Sequence, residues 1–169
     1  MEKLKESCKN IKILEISYAD LNSVSVVDFP SNLEELRLIR CEIPLKWFDK
    51  NQFTSLKTLV LTESSRICST HLQDLSKTCK STLLILNVKK CYRIDDKAIE
   101  TIVNEKFASI EFLDLEETSI SAFGFQLICT RLSNQLNFLN IRNCKNLKSP
   151  DLNIIRASFS HNEDFNCVV

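Results

Sequence analysis

Six short stretches of the chain repeat one arrangement of apolar and polar residues. They are "IKILEI" from Ile11, "LEELRL" from Leu33, "LKTLVL" from Leu56, "LLILNV" from Leu83, "IEFLDL" from Ile110 and "LNFLNI" from Leu136. Each is apolar at its first, fourth and sixth places, and the starts lie 22, 23, 27, 27 and 26 residues apart. Each stretch reads as a short strand whose aliphatic residues point into a core. The strands stack in parallel at about 4.8 Å. No unit can bury its apolar face alone, so neighbours complete one continuous core.

A recurring LxxLxL at roughly 20–29 residues is the signature of leucine-rich repeats. The predicted fold class is therefore α/β: a leucine-rich repeat solenoid of about six repeats. A curved parallel sheet lines its concave face, and helices and irregular turns its convex face. Residues 1–160 are expected to form a single domain and 161–169 a disordered tail. The longer return segments read as helices. "STHLQDLSKTC" has Thr70 and Gln73 in capping-box spacing, with Leu72, Leu75 and Cys79 on one face. "DDKAIETIV" offers an Asp N-cap and turns Ile99, Ile102 and Val103 inward. "SAFGFQLIC" starts at Ser121, and "SPDLNIIRASF" has Ser149 as N-cap with Pro150 at the first helical position. "NSVSVVDFP" is expected to be irregular and "PLKWFDKNQF" to hold only a short turn.

Eight places after each repeat start stand Ala19, Cys41, Ser64, Cys91, Thr118 and Cys144, all small. There a strand turns and the chain passes under its neighbour, and a weak S–H or O–H donor can meet a backbone carbonyl. Cys8 and Cys79 share another recurring place, at the end of a return segment. This recurrence argues for packing rather than nucleophilic chemistry. No CxxC occurs, and His71 and His161 are far from any cysteine pair in sequence, so no metal site is expected. His71, in a helix's first turn, is expected to be solvated. Asp95 and Asp96 read as a helix start rather than an acid–base pair.

Composition narrows the function. Acids and bases balance at 22 each, which gives no global electrostatic case for nucleic acid or anionic membrane. One glycine in 169 residues argues against glycine-rich phosphate loops. The charged N-terminus lacks a signal-peptide stretch, no apolar run is long enough to span a membrane, and Cys167 stands third from the end, outside the prenylation pattern. Cytoplasm or nucleus, with reduced thiols, is the expected setting. No catalytic residue and no cofactor is expected.

On the concave face the third, fifth and seventh places of each repeat are expected to be exposed. Repeats four to six put Ile85, Phe112 and Phe138 at the third place, Asn87, Asp114 and Asn140 at the fifth, and Lys89, Glu116 and Arg142 at the seventh. These nine residues are the candidate partner-binding set: an apolar stripe beside a polar and a mixed-charge stripe. The third-place rings either face solvent as a partner site or tuck under the loop entering the strand as packing. The earlier repeats offer Glu15, Arg37, Ile39 and Val60, a less coherent set.

"LNVKKCYRIDDKAIETI" and "LNIRNCKNLKSPDLNII" carry LxxLxLxxC followed by a helix start. This resembles the cysteine-containing subclass of leucine-rich repeats, found mainly in F-box proteins, the substrate receptors of cullin-based ubiquitin ligases. From Cys8 to Leu75 the resemblance to an F-box protein's repeat region goes further. Ala19-Asp20-Leu21, Pro30-Ser31, Cys41-Glu42-Ile43 and Trp47 are its distinctive points. The resemblance implies a protein-interaction module that holds a protein substrate on its concave face and does no chemistry itself. That family places an F-box before the repeats, and "MEKLKESCKNI" reads instead as the tail of a preceding repeat. The expectation is a fragment or a repeat-only relative. Docking on a ligase adaptor then requires an F-box outside this chain. A stand-alone scaffold unrelated to ubiquitin is the alternative, and a thiol enzyme a third reading.

Overall fold

The structure, a computed structural model, describes residues 8–105, 107–148 and 152–169, with Leu152 given by its backbone alone. Seven short strands run in chain order as one parallel sheet. They are β1 (Ile13–Ser17), β2 (Glu35–Ile39), β3 (Thr58–Val60), β4 (Ile85–Asn87), β5 (Phe112–Asp114), β6 (Phe138–Asn140) and β7 (Asn166–Val168). A 3-10 turn, Val26–Asp28, is the only regular piece described in the first return segment, and "PLKWFDKNQF" holds turns. Helices fill the later returns: α1 (Ser69–Cys79), α2 (Asp96–Asn104), α3 (Ala122–Arg131) and α4 (Leu152–Ser158). The fold is a leucine-rich repeat solenoid.

Register follows the repeat. Ile13, Glu35, Thr58, Ile85, Phe112, Phe138 and Asn166 align across the sheet as one row. The fourth-place leucines Leu36, Leu59, Leu86, Leu113 and Leu139 form a second row, wholly buried. Sixth-place Leu38, Leu61, Val88, Leu115 and Ile141 and first-place Leu33, Leu56, Leu83, Ile110 and Leu136 complete the core. Each such leucine is worth about 2–5 kcal/mol against alanine. Neighbouring helices pack in sequence, α1 on α2, α2 on α3 and α3 on α4. Strands advance about 4.8 Å per repeat and packed helices about 8–10 Å, so the stack bends with the sheet inside.

The first six strands end in the same left-handed step. Tyr18, Arg40, Glu63, Lys90, Glu117 and Asn143, the eighth places, all have φ between 53° and 59°, and none is glycine. The backbone N–H of the first five donates to the seventh-place carbonyl of the next repeat, at 2.8–2.9 Å. The small ninth-place residue then turns inward. Cys41 Sγ meets Ile16 O at 3.4 Å, Ser64 Oγ meets Leu38 O at 3.2 Å, Cys91 Sγ meets Leu61 O at 2.9 Å and Cys144 Sγ meets Leu115 O at 3.1 Å. Each donates to the sixth-place carbonyl of the repeat before it. Thr118 breaks the ladder and donates to its own Leu115 O at 2.7 Å.

The helix starts are partly as expected. Asp95 caps α2 by accepting from Ala98 N at 3.2 Å, and Ser121 caps α3 by accepting from Phe123 N at 3.2 Å. Ile99 and Ile102 are buried, while Val103 is half-buried against the core. The capping pair of helix α1 lies two residues before the expected Thr70 and Gln73. Its N-cap is Cys68, and His71, not Gln73, reaches back, accepting from Cys68 N at 3.3 Å. The Ser149–Pro150 start lies outside the described residues. Residues 161–169 are no disordered tail: Asn166–Val168 pair with β6, and Asn162 Nδ2 holds Leu136 O at 3.1 Å. The Phe159 and Phe165 rings stack at 3.6 Å beneath this last coil.

Candidate protein-interaction face

The third-place row supplies the apolar part of the face. Ile85, Phe112 and Phe138 lie side by side in β4, β5 and β6, each half-buried. The two rings stack in parallel, with centroids 4.2 Å apart and planes 4° apart. Two flat rings one strand spacing apart have little choice, because the sheet sets their separation. Asn166 of β7 continues the row past Phe138 and is exposed.

The fifth-place residues finish their own strands. Asn87 Oδ1 accepts from Lys89 N at 3.0 Å, Asp114 Oδ1 from Glu116 N at 3.0 Å and Asn140 Oδ1 from Arg142 N at 3.1 Å. A side-chain oxygen two residues upstream thus satisfies an N–H in each of three repeats. Sideways, Thr62 Oγ1 meets Asn87 Oδ1 at 3.3 Å, and Asn87 Nδ2 donates to Asp114 Oδ2 at 3.2 Å.

The seventh-place charges gather on one carboxylate. Glu116 Oε2 lies 2.8 Å from Lys89 Nζ, and its Oε1 lies 3.4 Å from an Arg142 guanidinium nitrogen. Asn140 Nδ2 adds a bond to Oε2 at 3.2 Å. The Lys89 bond holds the Glu116 carboxyl below its ordinary range, and Glu116 raises the Lys89 ammonium in return. Asp114 moves the other way: burial pushes its carboxyl up, and the nearby Glu116 charge adds to the rise.

The fifth and seventh places are therefore less exposed than the period implies. Asp114, Glu116 and Asn140 are only 7%, 5% and 8% exposed. The reason is lateral: each bonds polar atoms of a neighbouring repeat, Asp114 meeting Asn87, Asn140 meeting Glu116, and Glu116 meeting Lys89 on one side and Arg142 on the other. Lys89 is half-buried, and Arg142 is the one exposed residue of the nine. In the earlier repeats Glu15 and Arg37 are exposed, Ile39 and Val60 are half-buried, and Arg37 pairs with Glu35. Thr62 and Asn166 escaped the sequence reading. Thr62 sits at the seventh place and was legible by register; Asn166 follows no LxxLxL and was not.

Other expected chemistry resolves differently. His71 is fully buried, not solvated: the Phe48 ring meets it edge-on at 6.1 Å and Pro44 O lies 3.1 Å from Nε2. Burial pulls its imidazole below the usual value. Burial also pushes the Cys79 and Cys91 thiols up to about 12. Among the described residues, no three His, Cys, Asp or Glu side chains group as a metal site. No described helix is long and apolar enough to cross a membrane.

No protein-family model matches the chain. It is 28% identical to F-box/LRR-repeat protein 12 of Mus musculus over 135 residues, 78% of this chain and 40% of that one. The Homo sapiens protein is 25% identical over 158 residues, 91% of this chain and 47% of that one. The Bos taurus protein is 24% identical over 161 residues, 93% and 48%. The chain thus spans less than half the length of these curated relatives. With the repeat register and the parallel sheet, this similarity makes the chain a leucine-rich repeat protein resembling F-box/LRR-repeat protein 12.

Proposed function

We propose that the chain is the substrate-recognising repeat region of an F-box-type ubiquitin ligase receptor, and that its concave face holds a segment of a protein substrate. The observation that carries the binding part is the stacked, half-exposed Phe112–Phe138 pair beside the Lys89–Glu116–Arg142 cluster. Aromatic anchors ringed by polar groups supply most of the energy in protein interfaces. Here the rings are held apart by the sheet, so little side-chain entropy is lost on binding. Arg142 pairs with Glu116 and is the exposed member of the cluster. The ligase part rests on the similarity to F-box/LRR-repeat protein 12.

Affinity purification of the native gene product from its own cells, quantified by mass spectrometry, tests both parts. Recovery of a Skp-type adaptor and a cullin together with substrate proteins is the expected result. Stable protein partners without any ligase subunit overturn the ligase part and leave a scaffold. Partners that bind equally well after Phe112→Ala with Phe138→Ala overturn the assignment of the face.

A further inference from the structure

Cys68 stands where Asp95 and Ser121 cap the two following helices. A cysteine is a poor substitute for those oxygen acceptors. Its surroundings differ from those of the buried thiols. Cys68 is half-exposed, and its Sγ lies 3.5 Å from His71 Nδ1. The far nitrogen of that ring fixes the proton arrangement. Nε2 faces Pro44 O at 3.1 Å, and a carbonyl only accepts, so Nε2 carries the hydrogen. Nδ1 of the neutral ring is then a bare acceptor, shared between the Cys68 backbone N–H at 3.3 Å and the Cys68 thiol. The Phe48 ring and the Pro44 carbonyl hold the imidazole in place.

A nucleophile, a base in hydrogen-bond reach and a third group orienting the base is the arrangement that activates thiols. Thiolate at Cys68 also sits at the N-terminus of an 11-residue helix, whose dipole favours negative charge. None of the other cysteines has a described histidine contact. Cys79, Cys91 and Cys144 donate to backbone carbonyls inside the core, and burial pushes Cys167 up to about 11.

We propose that Cys68, with His71 as its base, is a reactive thiol that takes a low-molecular-weight disulfide, making it a site of reversible S-thiolation. In the step, Cys68 Sγ attacks one sulfur of the disulfide while its proton passes to His71 Nδ1. The S–S bond breaks, a mixed disulfide forms at Cys68, and the departing thiolate recovers the proton from His71. The exchange is redox-neutral overall and needs no further oxidant. It is independent of the concave-face reading, since Cys68 caps a convex-side helix.

The full chain is pulsed with isotope-coded iodoacetamide, native and in urea, and each cysteine is quantified by peptide mass spectrometry. Native Cys68 is expected to label about tenfold faster than Cys8 and faster than Cys68 in the unfolded chain. His71→Gln keeps an N–H aimed at Pro44 and removes the base; Cys68 is then expected to fall to the Cys8 rate. Oxidised glutathione is expected to add to Cys68 before any other cysteine. A native Cys68 no faster than Cys8 overturns the proposal, whether or not the variant folds. An unchanged Cys68 rate in a folded His71→Gln chain overturns the role of His71.

Discussion

Cys91 Sγ donates to Leu61 O across a repeat boundary at 2.9 Å, with no exposed surface on the cysteine. The same bond recurs from Cys41, Ser64 and Cys144, so the ninth place couples each repeat to the one before. Because Ser64 already makes it with a hydroxyl, Cys91→Ser is expected to cost less than about 1 kcal/mol. Cys91→Ala loses the donor and is expected to cost about 1 kcal/mol, and Cys91→Leu about 1–3 kcal/mol through overpacking. Urea unfolding ranks the three. Serine falling below alanine would mean the thiol is valued for volume and not for its hydrogen bond.

The stacked rings of the candidate face are half-buried, unlike the leucines beneath them. Phe112→Ala with Phe138→Ala is expected to weaken partner binding at least tenfold, about 1.4 kcal/mol, and to cost less stability than Leu113→Ala alone. Leu113 is fully buried, and its loss is expected to cost about 2–5 kcal/mol. Thermal melts of both variants beside a binding assay decide it. A double variant that melts below Leu113→Ala would assign the rings to the core.

The repeat pattern carried the architecture because six strands obey it at the first, fourth and sixth places. It failed at β7 for a physical reason. In register with Phe138, Asn166 is a third place, which puts the polar Asp164 at the first. The last coil is closed by Asn162 and the Phe159–Phe165 stack instead of an inward aliphatic. The burial of His71 was illegible for another reason. Its own helix puts it in the first turn, but Phe48 and Pro44 arrive from the repeat before. The fifth-place Asn, Asp and Asn were visible as a column, yet period alone says only that they leave the core. Whether they face water depends on lateral bonds that the neighbouring repeat supplies.

Asp114 and Glu116 are expected to titrate in opposite senses. Glu116 has its carboxyl lowered chiefly by the Lys89 bond, so it stabilises the fold above its ordinary value of 4.5 and loses that contribution as pH falls through the lower folded value. Asp114 is raised above 3.8 by burial, so its charge opposes folding at neutral pH, and that penalty fades as pH falls through the raised value. Carboxyl carbon NMR through an acid titration is expected to show Asp114 titrating above 3.8 and Glu116 below 4.5. Lys89→Met should move Glu116 upward. A Glu116 that titrates at its ordinary value in the parent would show that the Lys89–Glu116 pair does not persist in solution.

Glu117 turns its strand at φ 55°, a conformation that costs an L-residue about 1–2 kcal/mol. Glycine removes that strain but loosens the unfolded chain by about 0.5–1 kcal/mol. Glu117→Gly is therefore expected to stabilise by up to about 1 kcal/mol, with the Glu117 N–H to Arg142 O bond kept. Glu117→Val, stiff and β-branched, should lower the melting temperature. A glycine variant less stable than the parent would mean the eighth-place side chain contributes more than its backbone strain costs.

The chain's one glycine is set by a carboxylate from the neighbouring repeat. Asp96 Oδ1 accepts from Ser121 N at 2.7 Å and Gly124 N at 3.1 Å, while Ser121 Oγ donates to Oδ2 at 2.5 Å. Asp96, the second residue of an apparent acidic pair, thus caps the next helix and not its own. A Cβ on Gly124 would stand 2.4 Å from Oδ1 and 3.4 Å from the Asp96 backbone. The carboxylate would have to give up two backbone donors to make room. Gly124→Ala is expected to cost about 1–3 kcal/mol, against the usual gain from alanine in a helix. In an Asp96→Ala background the clash is gone, and Gly124→Ala should become neutral or stabilising. The double-mutant cycle, read by urea unfolding, measures that coupling, and additive effects would show that the carboxylate does not dictate the glycine.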